Sequence, residues 1–184
     1  MLSKSHRLSL LDINKLTYKN IFYAQEIITP IGNVLAVADT NHLYALNFIN
    51  DYMLKSVEKI MLIYSAKLVF EENDTLSQTR IQLDRYFKGE LKKFSIPLKL
   101  TGTHFQKKVW SVLIKISYGK TINYKQEALN IGNEKAFRAV ANANGRNPIP
   151  IIIPCHRVVN SNGKLGGYTG GIEKKVCLLR LERR

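Results

Sequence analysis

The tripeptide Thr101-Gly102-Thr103 divides the chain into two halves with different hydrophobic periods. Before it lie short β-rich runs, "IFYAQEII", "NVLAVAD" and "LYALNFI", separated by the turn signals "TPIG" and "TN". Such a succession predicts an antiparallel meander. Two helical patterns follow, "YMLKSVEKIMLIY" and "TLSQTRIQLDRYF". In the second, Leu76, Ile81, Leu83, Tyr86 and Phe87 supply one face and Gly89 a stop. "KKFSIPLKL" reads as a further strand. Past the break, "THFQKKVWSVLIKI" opens with Thr103 and Gln106 at capping-box spacing and carries Phe105, Val109, Trp110, Leu113 and Ile114 as an apolar stripe. A domain boundary is therefore expected near residue 100. Residues 1–19 are read as a basic extension, 20–100 as one domain and 101–184 as another.

The second half is the more helical. "YGKTINY" is a turn and a short extended piece, "KQEALNI" a short helix ended by Gly132, and "NEKAFRAVANAN" a helix with Asn133 as its N-cap. Two helices joined by a short glycine-containing turn form a helix-turn-helix pattern, whose second helix is the one presented to DNA. Here that helix is small and basic: alanines at 136, 139, 141 and 143 surround Arg138. It suits close approach and one inserted side chain better than readout of many base edges. An alanine-rich packing helix fits the pattern equally well. Phe137 is either a core residue or an apolar wedge against DNA.

Charge bears on the choice. Lys and Arg number 28 against 14 acids, a formal +14. The excess points to a polyanion, nucleic acid first and an acidic membrane surface second; a solubility device is the plain alternative. No apolar stretch approaches the ~20 residues that span a bilayer. The segment from Leu8 to Leu11 is short and runs into Asp12, so no secretory leader is read. An intracellular chain keeps its thiols reduced, which argues against a disulfide between Cys155 and Cys177, the two cysteines. Without a C-x-x-C pair, and with His6, His42 and His104 scattered, a zinc site has no support.

The stretch "PIPIIIPCHRVVNSNGKLGGYTGG" at 148–171 concentrates the chemistry. An apolar run, expected as a buried strand, stops at Pro154, which cannot donate to a ladder. Cys155, His156 and Arg157 follow. A base beside a thiol favours the thiolate. Successive residues on a strand face opposite ways, so Cys155 and His156 would need a bend or a bridging water to communicate. From local chemistry alone, a reactive and a structural cysteine stand even. The glycines around Tyr168 and Thr169 permit close backbone approach to a planar ligand, or simply make a surface loop.

These residues together resemble the O6-alkylguanine-DNA alkyltransferase family, the methylated-DNA–protein-cysteine methyltransferases. "IPCHRV" is the signature, supported by "FQKKVW", "YGKTINY", "GNEKAFRAVANANGRNP", "GGYTGG" and "KKVCLLRLE". The resemblance spans roughly residues 20–184 and is strongest in the second half. It implies an α/β ribonuclease H-like domain followed by a mostly α, winged-helix-like DNA-binding domain.

The implied activity is direct reversal of DNA alkylation. An alkyl group passes once, irreversibly, from O6-alkylguanine to Cys155, with O4-alkylthymine a second candidate substrate. His156 would act as base through a water, Glu182 would orient it, and Asn147 would brace the segment. The base would be flipped out of the duplex. Arg138 would fill the gap, with Ala139 and Tyr124 also against DNA. Tyr124, Val158, Tyr168, Thr169 and Lys175 would form the substrate site, with backbone groups of Cys155, Val158 and Thr169 reading the guanine. No metal and no cofactor is expected. The partner is double-stranded DNA, not membrane, bound by a monomer whose charge leaves assembly along DNA open. Location would be cytoplasmic or nucleoid-associated, or nuclear in a eukaryote. Phe137 is bulkier than the family's usual residue there, Cys177 reads as core, and Arg157 as structural. A DNA-binding regulator explains the charge but not Cys155, His156 and Glu182. A cysteine hydrolase explains the thiol but not Arg138.

Overall fold

The computed structural model describes residues 18–183, so most of the basic extension expected at 1–19 lies outside the described residues. The described residues up to Leu100 gather into one compact unit and those from Thr101 onward into a second.

In the first unit, β1 (Asn20–Ile27), β2 (Val34–Ala38) and β3 (Leu43–Phe48) make the expected antiparallel meander. A fourth strand, β4 (Ala66–Val69), adds in parallel to β1, giving the order β3-β2-β1-β4. Two helices cover the sheet, α1 (Asp51–Ile63) and α2 (Asp74–Phe87), each begun by an asparagine: Asn50 accepts from the Met53 amide and Asn73 from that of Leu76. A shared core joins Phe22, Leu35 and Val37 to Met53, Val57 and Ile60 of α1.

Two expectations fail here. Ile81 is exposed, because five residues on from buried Leu76 it is turned about 140° around the helix. "KKFSIPLKL" contributes only a bridge at Leu98, where Leu43 donates to the Pro97 carbonyl and accepts from Lys99, both at 2.9 Å. Pro97 has no N–H with which to extend the ladder.

The second unit opens with α3 (His104–Ile114), whose capping box forms as expected between Thr103 and Gln106. Val109, Trp110 and Leu113 are buried, while Ile114 is exposed. β5 (Ile122–Asn123) leads into α4 (Tyr124–Asn130), capped by Asn123. After Gly132 comes a single 3-10 turn, Glu134–Ala136, and then α5 (Phe137–Asn144). Asn133 makes no capping bond, because the 3-10 turn takes the place of the expected first helical turn. Trp110 Nε1 donates to the Ala143 carbonyl at 2.9 Å and ties α3 to α5. β6 (Val158–Val159) pairs in parallel with β5, and α6 (Ile172–Glu182) closes the unit. Among the described residues no helix is long and apolar enough to cross a membrane.

Candidate active site

Asn147 shapes the segment that leads to the cysteine. Its Oδ1 accepts from the Ile149 amide at 3.0 Å, and its Nδ2 donates to the Ile153 carbonyl at 2.8 Å. The Ile153 amide donates back to the Ile149 carbonyl at 2.9 Å. One carboxamide thus satisfies backbone groups in a buried stretch whose prolines offer no N–H. Within it, Ile151 stands at φ +74°, in the left-handed region that a β-branched residue rarely enters. The buried strand expected here is instead this braced turn. Asn147 Nδ2 also lies 3.3 Å from Cys155 Sγ.

Cys155–Arg157 form a single 3-10 turn, and all three residues are buried. Successive side chains on such a turn step about 120° apart, so they do not alternate as on a strand. His156 Nε2 lies 2.9 Å from Glu182 Oε1, near the end of α6. Arg157 grips the same carboxylate, Nε to Oε2 at 2.9 Å and Nη2 to Oε1 at 2.8 Å. The Gly119 amide adds a bond to Oε2 at 3.1 Å. A carboxylate held by these donors only accepts, so His156 donates through Nε2 and keeps the lone pair on Nδ1. Nδ1 is buried and meets no protein partner. Arg157 also bonds the Ile116 carbonyl and lies over the Tyr118 ring. Gly119 has φ +71°, and a Cβ there would come within 2.8 Å of the Glu182 carbonyl oxygen.

Cys155 opens onto a cavity of about 320 Å³, within the range of small-molecule sites. Tyr124 of α4, Asn142 and Asn144 of α5, and Tyr168 and Thr169 of the glycine loop line it. Thr169 Oγ1 fastens the loop to the Gly145 carbonyl at 3.1 Å. Lys175, buried in α6, donates to the Val158 carbonyl at 2.6 Å and to that of Gly166 at 3.4 Å. A Cβ on Gly166 would lie 2.5 Å from the Tyr124 hydroxyl, so a side chain there would displace the loop or the ring.

Burial dominates the electrostatics. It pushes the Cys155 thiol up to about 11, against the Asn147 hydrogen bond and the Lys175 charge, which both favour the thiolate. Burial lowers His156 below its ordinary value, with Glu182 opposing. It lowers Lys175 as well, and it raises Tyr124 with help from Cys155. The resting site thus holds a neutral thiol and a neutral imidazole.

Comparison with known proteins places the chain in a family. The ribonuclease-like domain of 6-O-methylguanine DNA methyltransferase matches residues 22–100, and the DNA-binding domain of the same proteins matches 104–184. A methylated-DNA–protein-cysteine methyltransferase of Methanosarcina acetivorans is 46% identical over 84% of this chain and 94% of its own. The chain belongs to the 6-O-methylguanine DNA methyltransferase family.

A second member of the family, from Mycobacterium leprae, is 50% identical over 61% of this chain and 68% of its own. The solved structure of Mycobacterium tuberculosis OGT in complex with DNA superposes with a TM-score of 0.74 at 38% identity, covering 88% of this chain and 92% of that one. The fold is accordingly the family's: an α/β ribonuclease-like domain and a mostly α DNA-binding domain. In this methyltransferase the cavity gathers four of the residues singled out from sequence: Tyr124, Cys155, Tyr168 and Thr169. Asn147 touches Cys155 Sγ directly, and His156 and Glu182 pair. Val158 meets Lys175 through its carbonyl. Arg138 and Ala139 stand exposed on α5, whose Asn142 reaches the cavity. Cys177 is exposed and not core, since it falls on the outer side of α6, between buried Lys175 and Leu178.

Sequence reasoning missed the partnership of Arg157 with Glu182; its adjacency to the signature cysteine and histidine was the available signal. It also passed over Glu127 and Asn144, which are joined at 2.7 Å. Among the described residues no group of three or more His, Cys, Asp or Glu side chains is placed to hold a metal ion.

Proposed function

We propose that this methyltransferase repairs duplex DNA by moving an alkyl group from guanine O6 onto Cys155, once per molecule. The observation that carries the reading is a buried thiol facing a cavity beside a histidine whose one free nitrogen has no protein partner, with a carboxylate–guanidinium pair behind it.

Burial pushes the thiol up to about 11, so at neutral pH it rests protonated and a standing thiolate does not supply the nucleophile. The proton must leave as the reaction begins. It passes through a water to His156 Nδ1, and the imidazolium formed faces Glu182, itself held by Arg157. Sulfur attacks the saturated carbon; the S–C bond forms, the C–O6 bond breaks, and its electron pair stays with guanine. The Tyr124 hydroxyl donates a hydrogen bond to the base as charge builds on it. The imidazolium then returns its proton through solvent, leaving neutral guanine and a thioether.

The base reaches the cavity by leaving the stack. Arg138 enters the space it vacates, and small Ala139 lets α5 approach the minor groove. Backbone groups of Cys155, Val158 and Thr169 read the guanine, Tyr168 forms a wall, and Lys175 anchors the Val158 carbonyl. Residues 20–100 act as the ribonuclease H-like domain and 101–184 as the alkyltransferase domain. The protein works as a monomer beside the chromosome, in cytoplasm or nucleoid, or in the nucleus of a eukaryote. Intact mass after mixing with a duplex carrying O6-methylguanine tests the proposal. One methyl per molecule is expected, lost in Cys155→Ala; folded protein that gains no mass rejects it.

A further inference from the structure

Glu127 is the buried acid that the mechanism leaves unused. It sits on α4 three residues after Tyr124, at 0% exposure. Carboxylates are almost never fully buried without a paired cation. Its partner is instead an amide: Asn144 Nδ2, on α5, donates to Glu127 Oε2 at 2.7 Å. The other two oxygens of this couple, Glu127 Oε1 and Asn144 Oδ1, are both buried and both lack a protein partner. An ionised carboxylate and an amide oxygen are both acceptors and cannot satisfy each other. One proton on Glu127 would complete the set: Oε1–H would donate to Oδ1 while Nδ2–H donates to Oε2, closing a cyclic acid–amide pair.

The surroundings favour that proton. Cys155 on the 3-10 turn, Lys175 on α6, Asn144 on α5 and Tyr124 on the same helix are the polar and titratable groups facing Glu127. Lys175 is the cation among them, but its ammonium bonds the Val158 and Gly166 carbonyls. An ionised Glu127 would set a negative charge against the thiolate forming at Cys155. Asn144 itself lines the cavity into which Cys155 opens.

We propose that Glu127 is a positioning residue of the acceptor cavity: in its protonated form it clasps Asn144 at two points, fixes that wall, and keeps negative charge away from Cys155. The inference rests on Cys155 being the alkyl acceptor. In agreement, burial pushes the Glu127 carboxyl up to about 7, with the Asn144 bond and Lys175 opposing. The sign follows from linkage. An unfolded glutamate titrates near 4.5, so the folded state holds the proton more tightly. The stabilisation is complete below that value and is lost as pH rises through about 7.

The test compares the full chain with Glu127→Gln, which keeps the shape and the two-point pairing but cannot ionise. Between about pH 5 and pH 8.5, the wild-type denaturation midpoint should fall progressively behind that of the variant. Methyl transfer should match within about twofold near pH 6, and the wild type should lag by roughly tenfold near pH 8.5. In the wild type alone, an infrared band of a protonated carboxyl should be present near pH 6 and gone near pH 8.5, whether or not the variant folds. A wild-type protein with no such band near pH 6, or a midpoint gap that does not change with pH, overturns the proposal. Failure of both proteins to accept methyl at any pH would reject the alkyl-transfer reading instead, and the infrared and denaturation results would still decide the state of Glu127.

Discussion

Arg157 and Glu182 meet through two hydrogen bonds inside the protein, Nε to Oε2 at 2.9 Å and Nη2 to Oε1 at 2.8 Å. The same carboxylate receives His156, so Arg157 and His156 share one buried anchor. Removing one member of such a pair leaves a buried charge alone. Arg157→Ala is expected to lose about 3–5 kcal/mol in urea unfolding. A loss under about 1 kcal/mol would mean that Gly119 and His156 hold Glu182 unaided.

The raised thiol makes an alkaline prediction. Burial pushes the Cys155 thiol up to about 11 from an ordinary value near 9, so its contribution is full below 9 and is lost as pH rises through 11. Two units correspond to roughly 3 kcal/mol. Wild type should therefore lose that much relative to Cys155→Ala across this range, measured by paired denaturation curves. Parallel curves would show that the thiol ionises as freely as in the unfolded chain.

At the acid end the sign reverses. His156 is lowered by burial, so the folded state resists its protonation. The stability it contributes is present above the unfolded value of 6.5 and is lost as pH falls through the lower folded value. Transfer should decline over the same acid range, because the charged imidazole cannot take the thiol proton. Glu182→Gln removes the negative charge that favours imidazolium. It should slow transfer by about 10²–10⁴-fold and shift the acid limb downward in pH. An acid limb that stays in place would dissociate Glu182 from the base.

Gly166→Ala probes the approach between loop and ring. The added methyl would meet the Tyr124 hydroxyl at 2.5 Å and Cε2 at 3.0 Å, so loop or ring must shift. A displacement of about 1 Å at a reacting group costs on the order of 10²-fold in rate. Transfer from duplex DNA should fall by about that factor while the denaturation midpoint moves little. Unchanged transfer kinetics would remove Tyr124 from the reacting geometry.

Arg138→Ala separates flipping from chemistry. Extrahelical capture costs a few kcal/mol, so repair in a duplex should slow roughly 10- to 100-fold. Reaction with free O6-alkylguanine, which needs no flipping, should keep its rate. Equal slowing on both substrates counts against the finger role.

Parts of this structure were readable from sequence because local rules and tertiary packing agree. The meander of β1 to β3 and the Thr103 capping box are of that kind. β4 was not read, for it has four residues and is defined by parallel pairing to β1, far away in sequence. The isoleucine run misled because apolar character says "buried" without saying "extended"; Asn147 supplies the bonds that a neighbouring strand would have given. Cys155 and His156 stand out by local chemistry, but Glu182 comes only through family resemblance, and no periodicity predicts a contact across 26 positions. Glu127 stayed invisible because an acid on a short helix reads as solvent-facing until its burial is seen.

The chemistry and the fit of this cavity reside in different materials. His156, Arg157 and Glu182 are locked in the interior, whereas the wall at Tyr168 and Thr169 belongs to a glycine-rich loop fastened through Thr169 to Gly145 and through Lys175 to Gly166. Substitutions in that loop would reshape one wall of the cavity while leaving the buried His156–Glu182–Arg157 cluster in place.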